Sequence, residues 1–126
     1  MSAALPSAAL WTGVALFGGF GAVGRLLAEH GVRQQLAMTF PIGTTVVNIS
    51  GAFALGLLTG LGLSPVLTTL LGTGFLGAFT TFSGWMLETR SLTERTLRGH
   101  AAANIAVSVA LGLPAAALGY WIATYL

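Results

Sequence analysis

Gly74-Phe75-Leu76-Gly77-Ala78-Phe79-Thr80-Thr81-Phe82-Ser83 is a glycine-spaced apolar run that ends in hydroxyls and an aromatic ring. It lies inside residues 34 to 87, a tract with no Asp, Glu, Lys or Arg. A bilayer accepts a spanning segment only when its backbone polar groups are satisfied internally. The polar end of this run must therefore be buried in protein or line a path through the membrane.

The surrounding composition excludes a soluble domain. The chain has 126 residues, 55% hydrophobic and 6% charged, with a mean hydropathy of +0.86. Soluble domains are about a quarter charged. Residues 1–24 and 99–126 are also free of charged side chains. A transmembrane helix needs roughly 20 apolar residues, so each outer tract holds one span and the middle tract holds two. The predicted spans are 8–29, 40–62, 66–89 and 101–124, giving an all-α integral membrane protein with residues 1–126 as one four-helix domain. The second span opens at Thr39-Phe40-Pro41, where proline suits a first helical turn. The Gly60–Pro65 stretch reads as a turn, and residues 88–99 as an interfacial or loop segment. The first tract lacks a basic leader and is followed by further spans, so it reads as helix 1 and not as a cleaved signal peptide.

Charge placement sets an expected orientation. Both the 1–2 and 3–4 connections lie on one face, which carries Arg33, Arg90, Arg95 and Arg98, with Arg25 near the same end. The opposite face carries no Lys or Arg. The positive-inside rule then predicts arginine loops in the cytoplasm and both termini outside the cell membrane. Nothing in the pattern points to nucleic acid. There is no cysteine, which removes disulfides and thiolate metal sites.

Four constellations carry candidate chemistry. Gly18-Gly19-Phe20-Gly21-Ala22-Val23-Gly24-Arg25 reads as a close-packing face, with Arg25 either snorkelling to the interface or drawing anions into a vestibule. In Pro41–Gly51, Thr44, Asn48 and Gly51 share a helical face. Asn48 either makes an interhelical hydrogen bond or offers its amide to an anion. At 80–84, Thr-Thr-Phe-Ser-Gly weakens a helix, because hydroxyls compete for backbone groups. The alternatives there are a continuous back-bonded helix or a break whose freed carbonyls suit a small cation. Phe82, spaced i, i+3 from Trp85, presents a positive ring edge that suits an anion. In the last span Asn104 and Ser108 form an i, i+4 pair, either helix glue or an extension of the donor track. No carboxylate is expected deep in a span, since Glu29 and Glu88 fall at predicted helix ends. That argues against a proton-coupled exporter, and no nucleophile–base or metal-ligand cluster suggests an enzyme.

Taken together, Gly-Gly-x-Gly-Ala-x-x-Arg at 18–25, Pro-x-Gly-Thr-x-x-Val-Asn-x-x-Gly at 41–51 and Gly-Phe-x-Gly-x-x-Thr-Thr-Phe-Ser at 74–83 resemble the signatures of the Fluc/CrcB family of fluoride channels. The resemblance implies an antiparallel, dual-topology-type dimer of four-helix subunits in the lipid bilayer, the third helix broken near its middle. It implies two fluoride pores and passive export. Asn48, Phe82, Thr81, Ser108 and Arg25 match positions on the fluoride path, with Trp85 where a second phenylalanine is usual. The carbonyls of Gly77 and Thr80 would hold a central Na+ that is structural and not transported. Asn104 stands where a tyrosine is more usual. The arginine bias raises a further expectation: the antiparallel partner is either the same chain or an oppositely oriented paralogue. The alternative from another class is a small multidrug-resistance-type four-helix exporter.

Overall fold

The computed structural model describes residues 6–36 and 42–126. The predicted helix opening at Thr39-Phe40-Pro41 lies outside them. The described residues form helices only: α1 (Ser7–Gln35), α2 (Ile42–Leu61), α3 (residues 65–79), α4 (Phe82–Glu94) and α5 (Arg98–Ala123). Because α3 and α4 are two parts of one apolar run, they make four helices long and apolar enough to cross a membrane. By length and composition this is the pattern of a multi-pass membrane protein.

Two helices run further than predicted, for a physical reason. The expected ends at 29 and 89 kept the helices close to the apolar tracts, but a helix can continue out of the hydrocarbon on polar residues. Arg33 sits in the last turn of α1, where a cation complements the helix dipole. In α4 the Arg90 guanidinium reaches Glu94 across one turn at 3.0 Å, a spacing that supports helix continuation. Residues 88–94 are thus helical and not loop, and the true turn is confined to 95–97, with Thr96 at φ 58°.

The molecule is inverted in polarity. Trp11, Phe20, Phe82 and Leu113 are 68 to 71% exposed, while Thr44, Thr45, Thr81, Glu29 and Asn104 are buried. In lipid this is the favourable arrangement, since outward apolar side chains meet hydrocarbon and inward polar ones meet each other. Trp11, Tyr120, Trp121 and Tyr125 are exposed near the α1 start and α5 end, an aromatic girdle of the kind that sits at a membrane interface.

α2 is the central helix: a third of its apolar window is buried (33%), against 6% of α1 and 11% of each other span. Its most extensive partner is α5. That pairing requires glycine on both sides. A Cβ at Gly56 would overlap the Ala116 carbonyl, and one at Gly119 would overlap the Phe53 carbonyl. Close backbone approach of this kind replaces the hydrophobic drive that lipid removes. α1 packs on α2 and α3, and α4 on α5.

α3 starts conventionally, with Ser64 accepting from the Leu67 amide and Pro65 in the first turn. From Thr69 to Leu76 it is wound as a π-helix, the Gly77 amide bonding five residues back to the Gly72 carbonyl. Such winding is rare and concentrates at functional sites. The helix resumes for Gly77–Phe79 and then stops.

Gly56→Val is expected to abolish the close α2–α5 packing, seen as loss of a monodisperse peak on size-exclusion chromatography in detergent. A surface change of similar size at exposed Ala102 should leave that peak intact.

Candidate functional site

The expected break in the third span is present, and the geometry shows its cause. Thr80 (φ −84°, ψ 160°) and Thr81 (φ −146°, ψ 120°) are extended. The helix ends where the Thr80 amide and hydroxyl both donate to the Leu76 carbonyl at 3.0 Å. It restarts because the Thr81 hydroxyl oxygen accepts the Gly84 amide at 3.0 Å, an N-cap in which a side-chain oxygen satisfies an orphan donor.

Asn48 of α2 closes the gap between the halves. Its Oδ1 accepts the Thr81 amide at 2.9 Å, and its Nδ2 donates to the Thr81 carbonyl at 3.0 Å. The side chain thus imitates the edge of a β-strand against one extended residue. The interhelical reading of Asn48 holds; its second Nδ2 proton has no partner among the described residues. One turn either side, the same α2 face is shaped to fit. A Cβ at Gly51 would collide with the Thr80 methyl, and Thr44 donates to Glu88 at 2.6 Å.

The break also frees carbonyls, those of Gly77 and Thr80 among them. In an unbroken helix the Gly77 oxygen would accept from the amide at 81, and the Thr80 oxygen from the amide at 84. Those amides are bonded instead to Asn48 and to the Thr81 hydroxyl. Two hard carbonyl oxygens at a helix interruption are the donor set that an alkali cation prefers.

Two cavities adjoin this joint. One of about 370 Å³ is lined by Asn48, Gly77, Thr80, Thr81, Phe82 and Trp85 among others. A second of about 280 Å³ is lined by Asn48, Trp85 and Ser108. The structure thus brings together seven of the eight sequence-derived site residues. Arg25 lines neither cavity; its Nε is buried with no partner among the described residues. Phe82 and Trp85 meet edge to face, centroids 5.8 Å apart at 80°. The extra indole N–H of Trp85 does not face the cavity, because it donates to the Asn104 carbonyl at 3.0 Å. Asn104, wholly buried, returns its amide to the Trp85 carbonyl at 3.4 Å and to the Thr89 hydroxyl at 2.9 Å. It is helix glue, and Ser108 is left with a buried hydroxyl that has no partner among the described residues.

Sequence reasoning missed the Thr44–Glu88 pair and Thr89. Glu29 and Glu88 each lie six residues inside their helices, not at the ends as predicted. Glu29 is buried, and Glu29 and Arg33 are within electrostatic reach of Glu88. The i, i+4 spacing of Thr44 with Asn48, and of Thr89 with Trp85, was the available signal. No group of three or more His, Asp or Glu able to hold a metal occurs among the described residues.

Asn48→Ala removes both bonds to Thr81 and leaves a buried donor and acceptor unmet, a cost of about 2–4 kcal/mol. The expected outcome is a lower melting temperature and faster hydrogen exchange at the Thr81 amide. Unchanged exchange there would show that the joint does not depend on Asn48.

The chain is similar to known proteins over most of its length. The model of the family described as CrcB-like protein, Camphor Resistance (CrcB), matches residues 12–120. A protein of Mycobacterium tuberculosis named fluoride-specific ion channel FluC 2 is 56% identical over 115 residues, covering 91% of each chain. Its namesake in Mycolicibacterium paratuberculosis is 50% identical over 94% of this chain and 98% of its own. Fluoride-specific ion channel FluC 1 of Leifsonia xyli is 41% identical, over 86% and 82% respectively. These names describe ion channels and not enzymes, and a match over most of the length means that this chain belongs to the CrcB family.

Proposed function

We propose that the chain is a fluoride-selective ion channel through which fluoride leaves the cell passively, down its gradient and with the membrane voltage, limiting fluoride toxicity. The observation that carries this reading is the uncharged joint at Asn48. It leaves one amide proton beside the cavities, next to the Phe82 ring, in a chain whose relatives are named for fluoride.

The chemistry favours this ion. Fluoride is small and tightly hydrated, so it enters only where several donors replace its water. Asn48 supplies an amide proton, Ser108 a hydroxyl, and Phe82 and Trp85 positive ring edges. Thr81 holds the joint, and Arg25 draws anions toward the path from α1. None of the groups lining the two cavities carries a formal charge, so the ion is bound by dipoles weak enough to release it.

A single copy does not close this path. Phe82 is 71% exposed, and the larger cavity needs a second wall. Two copies packed antiparallel in the cell membrane would supply it and create two pores. The Gly77 and Thr80 carbonyls of both would hold a structural Na+. When bound, that ion supplies positive charge that ties the four oxygens together, and it is not transported. Four loop-side arginines against none on the other face favour termini outside. The partner is then an oppositely oriented paralogue or this chain itself.

Liposome efflux tests the reading. Wild-type protein is expected to release fluoride and retain chloride, and Phe82→Ile and Asn48→Asp should each slow fluoride release by about tenfold or more, the equivalent of one lost charge-assisted hydrogen bond. No fluoride-selective release, alone or with a candidate partner, would overturn it. Conducting antiparallel dimers from the chain expressed alone would remove the need for a paralogue. Exchange of Na+ for a large organic cation during purification is expected to lower both the melting temperature and the flux.

A further inference from the structure

Five threonines of the spans tie their hydroxyls back to their own helix, while Thr44 donates across to Glu88. Thr12, Thr59, Thr80, Thr89 and Thr93 each donate to the carbonyl four residues earlier, at 2.7 to 3.0 Å. This is the usual fate of a hydroxyl in an apolar helix. Ser108 does neither, with a buried Oγ that has no partner among the described residues. Its acceptor by the same rule would be the Asn104 carbonyl.

That carbonyl already takes two donors. An amide oxygen has two lone pairs. Within α5 one accepts the backbone N–H of Ser108, and the other accepts the indole N–H of Trp85 at 3.0 Å. The indole cannot drift away, because Asn104 Nδ2 bonds back to the Trp85 carbonyl and to Thr89. Thr89 in turn donates to the Trp85 carbonyl at 2.9 Å. Trp85 and Asn104 are therefore fastened to each other in both directions.

We propose that Trp85 is a positioning residue that keeps the Ser108 hydroxyl free to donate to the permeating anion. By occupying the Asn104 carbonyl it denies Ser108 its intrahelical acceptor. The Ser108 proton is thereby left for the 280 Å³ cavity that Ser108 shares with Asn48 and Trp85. The ring of Trp85 walls that cavity, while its N–H, pointing away, acts at the anion only through Ser108. The ligand class is a small anion of high charge density, which gains most from an unshared hydroxyl. The proposal rests on the channel reading above and adds to it a role for the indole nitrogen.

Liposome efflux with a double-variant cycle tests it. Trp85→Phe removes the N–H and frees the Asn104 carbonyl for Ser108. It is expected to lower fluoride efflux by about tenfold, a typical value for one hydrogen bond to an ion, to the level of Ser108→Ala. The double variant should fall no further. A merely structural role for Trp85 would lower efflux in the Ser108→Ala background as well, and such additive losses would overturn the proposal. So would unchanged efflux in either single variant. The phenyl ring is smaller than indole, so the same cycle is run with benzothienylalanine at position 85, which keeps the bicyclic shape and lacks only the donor. Wild-type protein that releases no fluoride would remove the channel reading itself, a result distinct from selective failure of the cycle.

Discussion

Two hydrogen bonds between one asparagine side chain and one threonine backbone hold the functional part of this molecule together. Residues 80 and 81 are extended in a segment that its neighbours would otherwise continue as helix. Inside a membrane an unpaired backbone amide costs several kcal/mol. Asn48 accepts from one such group and donates to the other, and the Thr81 hydroxyl caps the restart. With these in place the interruption is stable, and the carbonyls of Gly77 and Thr80 lose their usual partners as a direct result. The donor track and the candidate cation site are thus two outcomes of one joint.

The rest of the fold can be read as support for that joint. α2 must lie close enough to the third span for Asn48 to reach it, and Gly51 opposite Thr80 allows this. α2 is in turn held by α5 through Gly56 and Gly119, where backbones touch. α5 carries Asn104 and Ser108 to the other side of Trp85. The sequence of contacts runs from glycine packing to asparagine position, and from there to the exposed polar atoms of the cavities.

Much of this was legible in the chain. Four spans followed from the spacing of charges; Thr-Thr-Phe-Ser-Gly left a continuous helix and a break both open, and the family resemblance implied the break. The Thr44–Asn48–Gly51 face was visible as a period. Three things were not. Helix ends were placed at 29 and 89, although α1 and α4 continue to 35 and 94. The π-winding of Thr69–Leu76 has no mark in residue type that separates it from ordinary apolar helix. The direction of the Trp85 indole N–H, bonded to the Asn104 carbonyl, depends on α5, remote in sequence.

The composition of the joint has a consequence for the conditions under which it holds. Asn48, Thr80, Thr81 and Ser83 contain no group that titrates in the physiological range, and no ion pair bridges the break. Neither acidification of one compartment nor a change in ionic strength alters the number of bonds that hold it. The titratable neighbour is Glu88, which accepts from Thr44 on the same α2 face. The joint's own hydrogen bonds are the same at any physiological pH of the two aqueous phases.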